Sequence, residues 1–152
     1  MYLGDGWSLL CRVDAWLCAL PLEGVVETLR PLPIEPVAGA PDFVLGLSVV
    51  RGAAVPIVDV ERLLGGRGAN PTRFVMLKVG ERRVGLAVEG VVGVRQIGAT
   101  SLEDLPPLLR NAEADVVSTI GTLDSELLVV LQAVRIIPEA FFAAVEGKAL
   151  AS

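Results

Sequence analysis

The stretch VLGLSVVRGAAVPIVDV, Val44 to Val60, is almost wholly apolar, yet an Arg-Gly pair divides it at its centre. The two halves, VLGLSVV and AVPIVDV, have the length and the β-branched content of strands that are buried on both faces. Such strands need a sharp turn between them, and Gly52 permits the positive φ that a sharp turn requires. The stretch therefore predicts a hairpin in the core of a β-protein, with Arg51 at the rim of its turn.

Two roles are open to Arg51 at this rim. Its stem can lie on apolar surface while the guanidinium reaches water, so that it can form a bidentate contact with a carboxylate on a partner. Alternatively, it caps a loop carbonyl or an acid of this chain, such as Glu27. The sequence favours neither role, and both can hold at once.

The segments SLLCRV and WLCAL predict a second hairpin near the start of the chain, with a two-residue loop at Asp14-Ala15. Because strand side chains alternate between faces, this register places six apolar side chains on one face of the hairpin. The pairs are Leu9 with Leu20, Cys11 with Cys18, and Val13 with Trp16. The facing cysteines could form a redox switch, but two buried, reduced thiols are favoured in a cytoplasmic protein.

The rest of the chain consists of short apolar segments separated by turn residues. RFVMLKVG and RRVGLAVEGVVGVRQI predict three strands with a first turn at Gly80-Glu81, and VVSTIGTLDSELLVVLQAV predicts a hairpin turning at Asp124-Ser125. The proline-rich PLPIEPVAGAP predicts a crossing loop, and ERLLGG predicts one helical turn closed by glycine. Pro138 predicts the start of a C-terminal helix. These segments favour an all-β barrel or sandwich.

Length and composition exclude several classes of protein. The 152 residues suit one domain over 1–152 without a linker. A hydrophobic content of 53% and a mean hydropathy of +0.62 exclude a disordered chain. No apolar run is long enough for a membrane helix, and the start, MYLGDGW, lacks the basic region of a signal peptide. We therefore expect a cytoplasmic protein that does not insert into the membrane.

Charge and residue types exclude further functions. The chain contains no histidine, which removes the commonest general base and metal ligand, and two cysteines alone do not form a zinc site. We expect no catalytic residues, cofactor or metal. A net charge of −5, a pI of about 4.7 and an aromatic content of 5% argue against nucleic-acid binding.

The order of the segments matches a known family. WLCALPLEGVVE is followed by PVAGAPDFVLGLSVVRGAAVPIVDVERLLG, then by RFVMLKVGERRVGLAVEGVVGVRQI, and last by IGTLDSELLVVL. A Pro, a Phe, a Gly, the Arg-Gly pair and VP.VD are followed by VG..V and by a last hairpin that contains Gly, and this combination extends from about Leu9 to Phe142. The chain resembles the CheW-like chemotaxis coupling proteins.

This resemblance implies an all-β fold of two intertwined SH3-like five-stranded β-barrels with a shared hydrophobic core, plus a short C-terminal α-helix. It implies no enzymatic activity. The expected role is a scaffold that bridges the coiled-coil tip of a methyl-accepting chemotaxis receptor to the regulatory domain of a CheA-type histidine kinase. We expect it in the cytoplasm, recruited to receptor arrays.

The resemblance also implies two binding surfaces. The positions that match the receptor groove are Val25, Val26, Glu27, Val50, Arg51 and Gly52. Val25 and Val26 alternate faces in a strand, so only one of them would point into the groove. The kinase surface is expected on the middle hairpin, and its candidates are Val84, Gly85, Val92 and Val94.

The chain departs from the family pattern at two positions, and two other functions stay open. Val49 stands where the family usually has an Asn, and Gln132 replaces an Asp-bearing motif; both changes bear on partner identity. A nucleic-acid-binding barrel of SH3 or OB type is one alternative, against which the acidic pI counts. A small enzyme or ligand-binding barrel is the other, although the sequence shows no nucleophile–base pair or phosphate loop.

Overall fold

The computed structural model describes residues 6–14, 16–68, 70–96, 102–103, 117–123 and 126–131, the last three ranges as backbone strands only. These ranges contain eleven strands, a 3₁₀ turn at Leu22–Gly24 and one short α-helix. The strands are β1 Trp7–Val13, β2 Trp16–Pro21, β3 Val25–Leu29, β4 Val44–Val50, β5 Ala53–Asp59, β6 Arg73–Val79, β7 Arg82–Val88, β8 Gly90–Gln96, β9 Leu102–Glu103, β10 Val117–Leu123 and β11 Glu126–Leu131, and the helix is α1 Val60–Leu63.

The strands form two sheets. The first has the order β8-β1-β2-β11-β10-β9, and the second has the order β3-β6-β7-β5-β4. The chain starts in the first sheet, enters the second at β3 and returns to the first at β8. Neighbours are antiparallel except for β2 with β11 and β5 with β7. The molecule is therefore mostly β, as predicted.

Closure of the predicted barrels stays a prediction. In the described ranges, no ladder joins the two outermost strands of either sheet. The helix predicted from Pro138 lies outside the described residues.

The first hairpin has the predicted register. Trp16, Cys18 and Leu20 face Val13, Cys11 and Leu9 across the two strands. All six side chains belong to one hydrophobic core or pack against it. Both thiols are free and buried, and burial raises the pKa of Cys11 and of Cys18 to about 12, with the Cys11 charge adding to the effect on Cys18. These thiols are therefore inert in the folded state.

Strand β6 explains why the sequence contains unbroken apolar runs. Val75 and Leu77 join the core that the second sheet shares with the first hairpin. Phe74 and Met76, one residue out of phase, join a separate core on the other face of the second sheet. A strand with both faces buried needs apolar residues at every position, and β5 contributes to both cores in the same way, through Ile57 and Val58.

The proline-rich segment crosses over β4, as predicted for a loop. Glu35 forms an isolated two-way bridge with Leu47, with N–O distances of 2.8 Å in both directions. Ser48 Oγ donates a hydrogen bond to the carbonyl of Pro33 at 2.9 Å. Leu32 and Ile34 then pack against the second core, which is the one that contains Phe74 and Met76. The outer side of β4 is therefore paired where this segment passes.

The predicted helical turn is α1, which directly follows β5. The Asp59 carboxylate accepts a hydrogen bond from the backbone N–H of Arg62 at 3.3 Å, the usual N-cap contact. After Leu64 the chain leaves the helix through Gly65, at a φ of 94°. Val60 and Leu63 are buried in the shared core, so this turn closes one end of it.

Candidate functional site

The Arg-Gly pair forms the turn between β4 and β5, and both of its residues have positive φ. The φ of Arg51 is 51° and that of Gly52 is 82°, which are the signs of a type I′ turn, where Asn-Gly is preferred. An L-residue with a long side chain is strained in this region. An Arg with a strained backbone at a position that favours Asn indicates that the Arg side chain makes a contact that offsets this strain.

The side chain of Arg51 forms a bidentate ion pair with Glu27 of β3. Nε donates to Oε2 at 2.8 Å, and Nη2 donates to Oε1 at 2.7 Å. The Arg51 side chain is 68% exposed and that of Glu27 is 21% exposed. One of the two roles that the sequence left open is thus observed, while Nη1 forms no hydrogen bond with any described residue.

This ion pair connects opposite edges of the second sheet. Strand β3 is its first strand and β4 its last, so a contact from the β4–β5 turn to β3 requires the sheet to curl. The hydrogen bond from Arg51 lowers the pKa of Glu27 below its ordinary value of 4.5; burial opposes this, and the charges of Arg51 and Arg83 add to it. The hydrogen bond from Glu27 correspondingly raises the pKa of Arg51.

Two β-bulges place valines on the surface. Val25 pairs with Leu77 and Glu27 with Met76, so Val26 is an extra residue on β3, and it is 43% exposed. Val92 is the extra residue on β8 in the same way, and it is 53% exposed. Bulges re-aim side chains and are common near functional sites. Bulges are not revealed by strict alternation of side chains between the two faces of a strand, which is the rule that the sequence analysis uses for strands.

The six predicted receptor-site residues divide into a surface set and a buried set. Arg51, Gly52 and Val26 are exposed, and Glu27 is half-buried. Val25 packs against the shared core, whereas Val50 is 4% exposed and belongs to the second core. Of the two β3 valines, Val26 is therefore the one that reaches the surface.

Sequence reasoning did not include Val49 among the site residues. It is 72% exposed, between the buried Ser48 and Val50, and it lies two residues before Arg51. The signal was present in the sequence, because Val49 is an apolar residue at the position where the resembling family usually has Asn.

The predicted kinase-site residues also divide. Val92 and Val94 are exposed on β8, together with Val91, and β8 is the outermost strand of the first sheet. Val84 is 1% exposed, and Gly85 is buried where a Cβ would lie 2.5 Å from Cδ1 of Ile57. Only the β8 residues are accessible to a partner.

Glu61 of α1 is influenced by the charges of three other carboxylates. Burial is the main cause that raises the pKa of Glu61, and the charges of Asp14, Asp59 and Glu89 raise it further. Within the described residues, no group of three or more His, Cys, Asp or Glu side chains could hold a metal ion. No described helix is long and apolar enough to cross a membrane.

Comparison with protein families decides the membership of this chain. The model of the CheW-like domain matches residues 8–141, which is most of the sequence. The chain belongs to the CheW-like family. The match covers both sheets, the Arg-Gly turn and β8, so that both candidate surfaces lie within the CheW-like domain.

Relatives of known name agree with this assignment. A probable chemotaxis protein CheW from Rhizobium etli is 28% identical over 149 residues, covering 96% of this chain and 93% of the relative. Chemotaxis protein CheW of Klebsiella aerogenes is 26% identical over 116 residues, 74% of this chain and 70% of the relative. Protein FrzA of Myxococcus xanthus is 31% identical over 101 residues, 64% of this chain and 62% of the relative. The protein is thus a CheW-like scaffold of chemotaxis signalling.

A solved structure has the same fold. The scaffolding protein TtCheW from Thermoanaerobacter tengcongensis superposes with a TM-score of 0.72 at 20% sequence identity, covering 85% of each chain. At this identity the match concerns the fold alone, and it agrees with the two-sheet architecture.

Proposed function

We propose that this CheW-like protein is a non-enzymatic, cytoplasmic coupling scaffold that bridges chemoreceptor tips to a CheA-type histidine kinase in a chemotaxis or motility pathway. The observation that carries the proposal is the rim of the second sheet. There, a strained Arg51 is fixed to Glu27, and the exposed Val26 and Val49 lie beside them in the chain. A polar anchor beside apolar side chains suits a protein partner.

The receptor surface is proposed at this rim. A receptor hairpin tip is a helical coiled coil, which would dock an apolar stripe with polar contacts at its border. Val26 offers apolar contact, and Arg51 offers Nη1 to an acceptor on the receptor while Glu27 holds the rest of the guanidinium in place. Gly52 permits the turn, whereas Val25 and Val50 support the surface from the cores beneath it.

The kinase surface is proposed on β8. The family resemblance implies that the regulatory domain of the kinase has the same fold as the coupling protein. Two domains of like fold can associate through strand edges and apolar patches, and an outermost strand with exposed valines is suited to this. Val92 and Val94 are the contact residues in this proposal. Val84 and Gly85 are buried, so they would act only by shaping the sheet beneath.

The finer architecture belongs to the same proposal. It comprises one domain over residues 1–152, built from two intertwined SH3-like five-stranded barrels with a C-terminal helix. Two features support it: the core shared between the sheets, and the ion pair that draws the edges of the second sheet together.

A reciprocal binding experiment with the full chain tests the two surfaces. The probes are a soluble receptor fragment carrying the hairpin tip and the CheA-type kinase, both from the same genome. We expect Arg51→Ala to lose receptor binding but keep kinase binding, and Val92→Lys to do the reverse. Each variant is the control for the other. If the wild-type chain binds neither probe, or if each variant binds both as the wild type does, the proposal is wrong.

A further inference from the structure

Val49 is the most exposed of the large apolar side chains in the described part of the chain, at 72%. Its partner across the hairpin is Ala54, which is itself exposed and too small to shield it. An exposed β-branched apolar residue at the end of an outermost strand favours association. Nothing in the fold of the described residues therefore requires a valine at this position, and a polar residue would suit the free surface better.

The contact between Arg51 and Glu27 limits what else this rim can recognise. Glu27 already occupies Nε and Nη2 of the guanidinium with both of its oxygens. A carboxylate of a partner could form a bidentate contact through those two atoms only by displacing Glu27, and the ion pair itself has no net charge. Discrimination between partners at this rim therefore has to come mainly from the neighbouring apolar side chains.

We infer that Val49 is a specificity-determining residue of the receptor surface, which selects a receptor-tip helix with an aliphatic side chain opposite it. This inference rests on the proposed receptor function. Such a helix is the expected occupant because Val49 lies two residues before Arg51 and continues the proposed receptor rim. An apolar contact tolerates another aliphatic side chain but not a polar one, since a polar group buried there would lack a partner.

The test compares four full-length variants by calorimetric titration with the soluble receptor-tip fragment from the same genome. We expect Val49→Asn, which replaces the apolar side chain by a polar one of similar size, to weaken binding about tenfold or more. Val49→Leu should stay within about threefold of wild type. Val92→Asn, the same change at an exposed valine of β8, should change receptor affinity less than about twofold, and Arg51→Ala should weaken it. Thermal melts should show all four variants folded.

The outcomes separate this inference from the proposed function. If Arg51→Ala weakens binding but Val49→Asn does not, the receptor site stands and the role of Val49 is wrong. The role is also wrong if Val49→Leu weakens binding as much as Val49→Asn does, if Val92→Asn does so, or if Val49→Asn unfolds the chain. If the wild-type chain does not bind the receptor tip, or if Arg51→Ala leaves binding unchanged, the proposed receptor function fails, and this inference fails with it.

Discussion

Strands β4 and β8 have the same local design in two different settings. Each is one of the two outermost described strands of its sheet, and each has a bulge and a glycine with a large positive φ. These glycines are Gly46, at 146°, and Gly93, at 154°. Valines are also exposed on both strands: Val49 on β4, and Val91, Val92 and Val94 on β8. From sequence, VLGLSVV and GVVGVRQ would receive the same interpretation.

The two strands differ in what lies beside the glycine. A Cβ at Gly46 would lie 2.2 Å from the carbonyl oxygen of Glu35, because the crossing segment passes directly over it. A Cβ at Gly93 would have no described residue within 4 Å. The β4 edge is thus covered at its glycine and open only near its end, whereas no described residue covers β8 at the corresponding point. Coverage confines the exposed part of β4 to Val49 and the turn that follows.

The largest expected effect tests this difference directly. Gly46→Ala should lower the free energy of unfolding by roughly 3 kcal/mol or more, because positive φ costs about 1–3 kcal/mol and the steric clash costs about 1–3 kcal/mol more. Gly93→Ala should lose about 1–2 kcal/mol, from backbone strain alone. Denaturant unfolding measures both values. Equal losses would show that the crossing segment does not press on β4, and the contrast between the two edges would fail.

Much of the fold was predictable because it follows from alternation and turn chemistry. The register of the first hairpin, from Leu9 opposite Leu20 to Val13 opposite Trp16, follows from one loop and one apolar face, and it is confirmed. The turn at Gly80-Glu81 between β6 and β7 and the helical turn after Asp59 follow from local glycine and capping signals, and both are confirmed. These features depend on neighbours in sequence.

Features that depend on contacts between residues distant in sequence were harder to predict from the sequence. The sequence could name Glu27 as a partner for Arg51 only as one alternative, since 24 positions separate them and the curl of the sheet brings them together. Val84 and Gly85 point to opposite faces of β7, and both are buried because β7 lies inside its sheet, between β6 and β5, with a hydrophobic core on each face. The exposure of Val26 and Val92 depends on bulges. Each is decided by tertiary packing, which alternation alone does not encode.

The next effect concerns the strained turn that ends the covered edge. Arg51→Asn places the favoured residue at the first position of a type I′ turn, so we expect an equal or higher melting temperature. The same variant removes the guanidinium, so binding to the receptor-tip fragment should weaken by roughly ten- to a hundredfold. Melting curves and titration of one preparation give both values.

Stability and binding should therefore change in opposite directions at Arg51. A lower melting temperature together with wild-type affinity would show that Arg51 is a structural residue that ties β3 to the turn. The end of β4 would then serve to hold the second sheet together and would not be a binding surface. The kinase variant Val92→Lys, at the open edge, should by contrast leave stability within about ±0.5 kcal/mol.

The smallest effect is a titration that tests whether the end of β4 is tied to β3. Because the hydrogen bond from Arg51 lowers the pKa of Glu27, the stabilisation from this ion pair is present above pH 4.5 and is lost as the pH falls through the lowered pKa. Carboxyl NMR should give a Glu27 midpoint below 4.5 in the wild type. Arg51→Ala should raise this midpoint, because both effects of Arg51 are lost and the burial that remains opposes the smaller effect of the Arg83 charge. Glu61 is the internal control. Its pKa is raised by burial and by other acids, so the contribution of Glu61 to folding stability is lost as the pH rises through its raised pKa. Arg51→Ala should leave the Glu61 midpoint unchanged. Identical Glu27 midpoints in the two proteins would mean that Arg51 and Glu27 are not paired in solution, which would leave the end of β4 as open as β8.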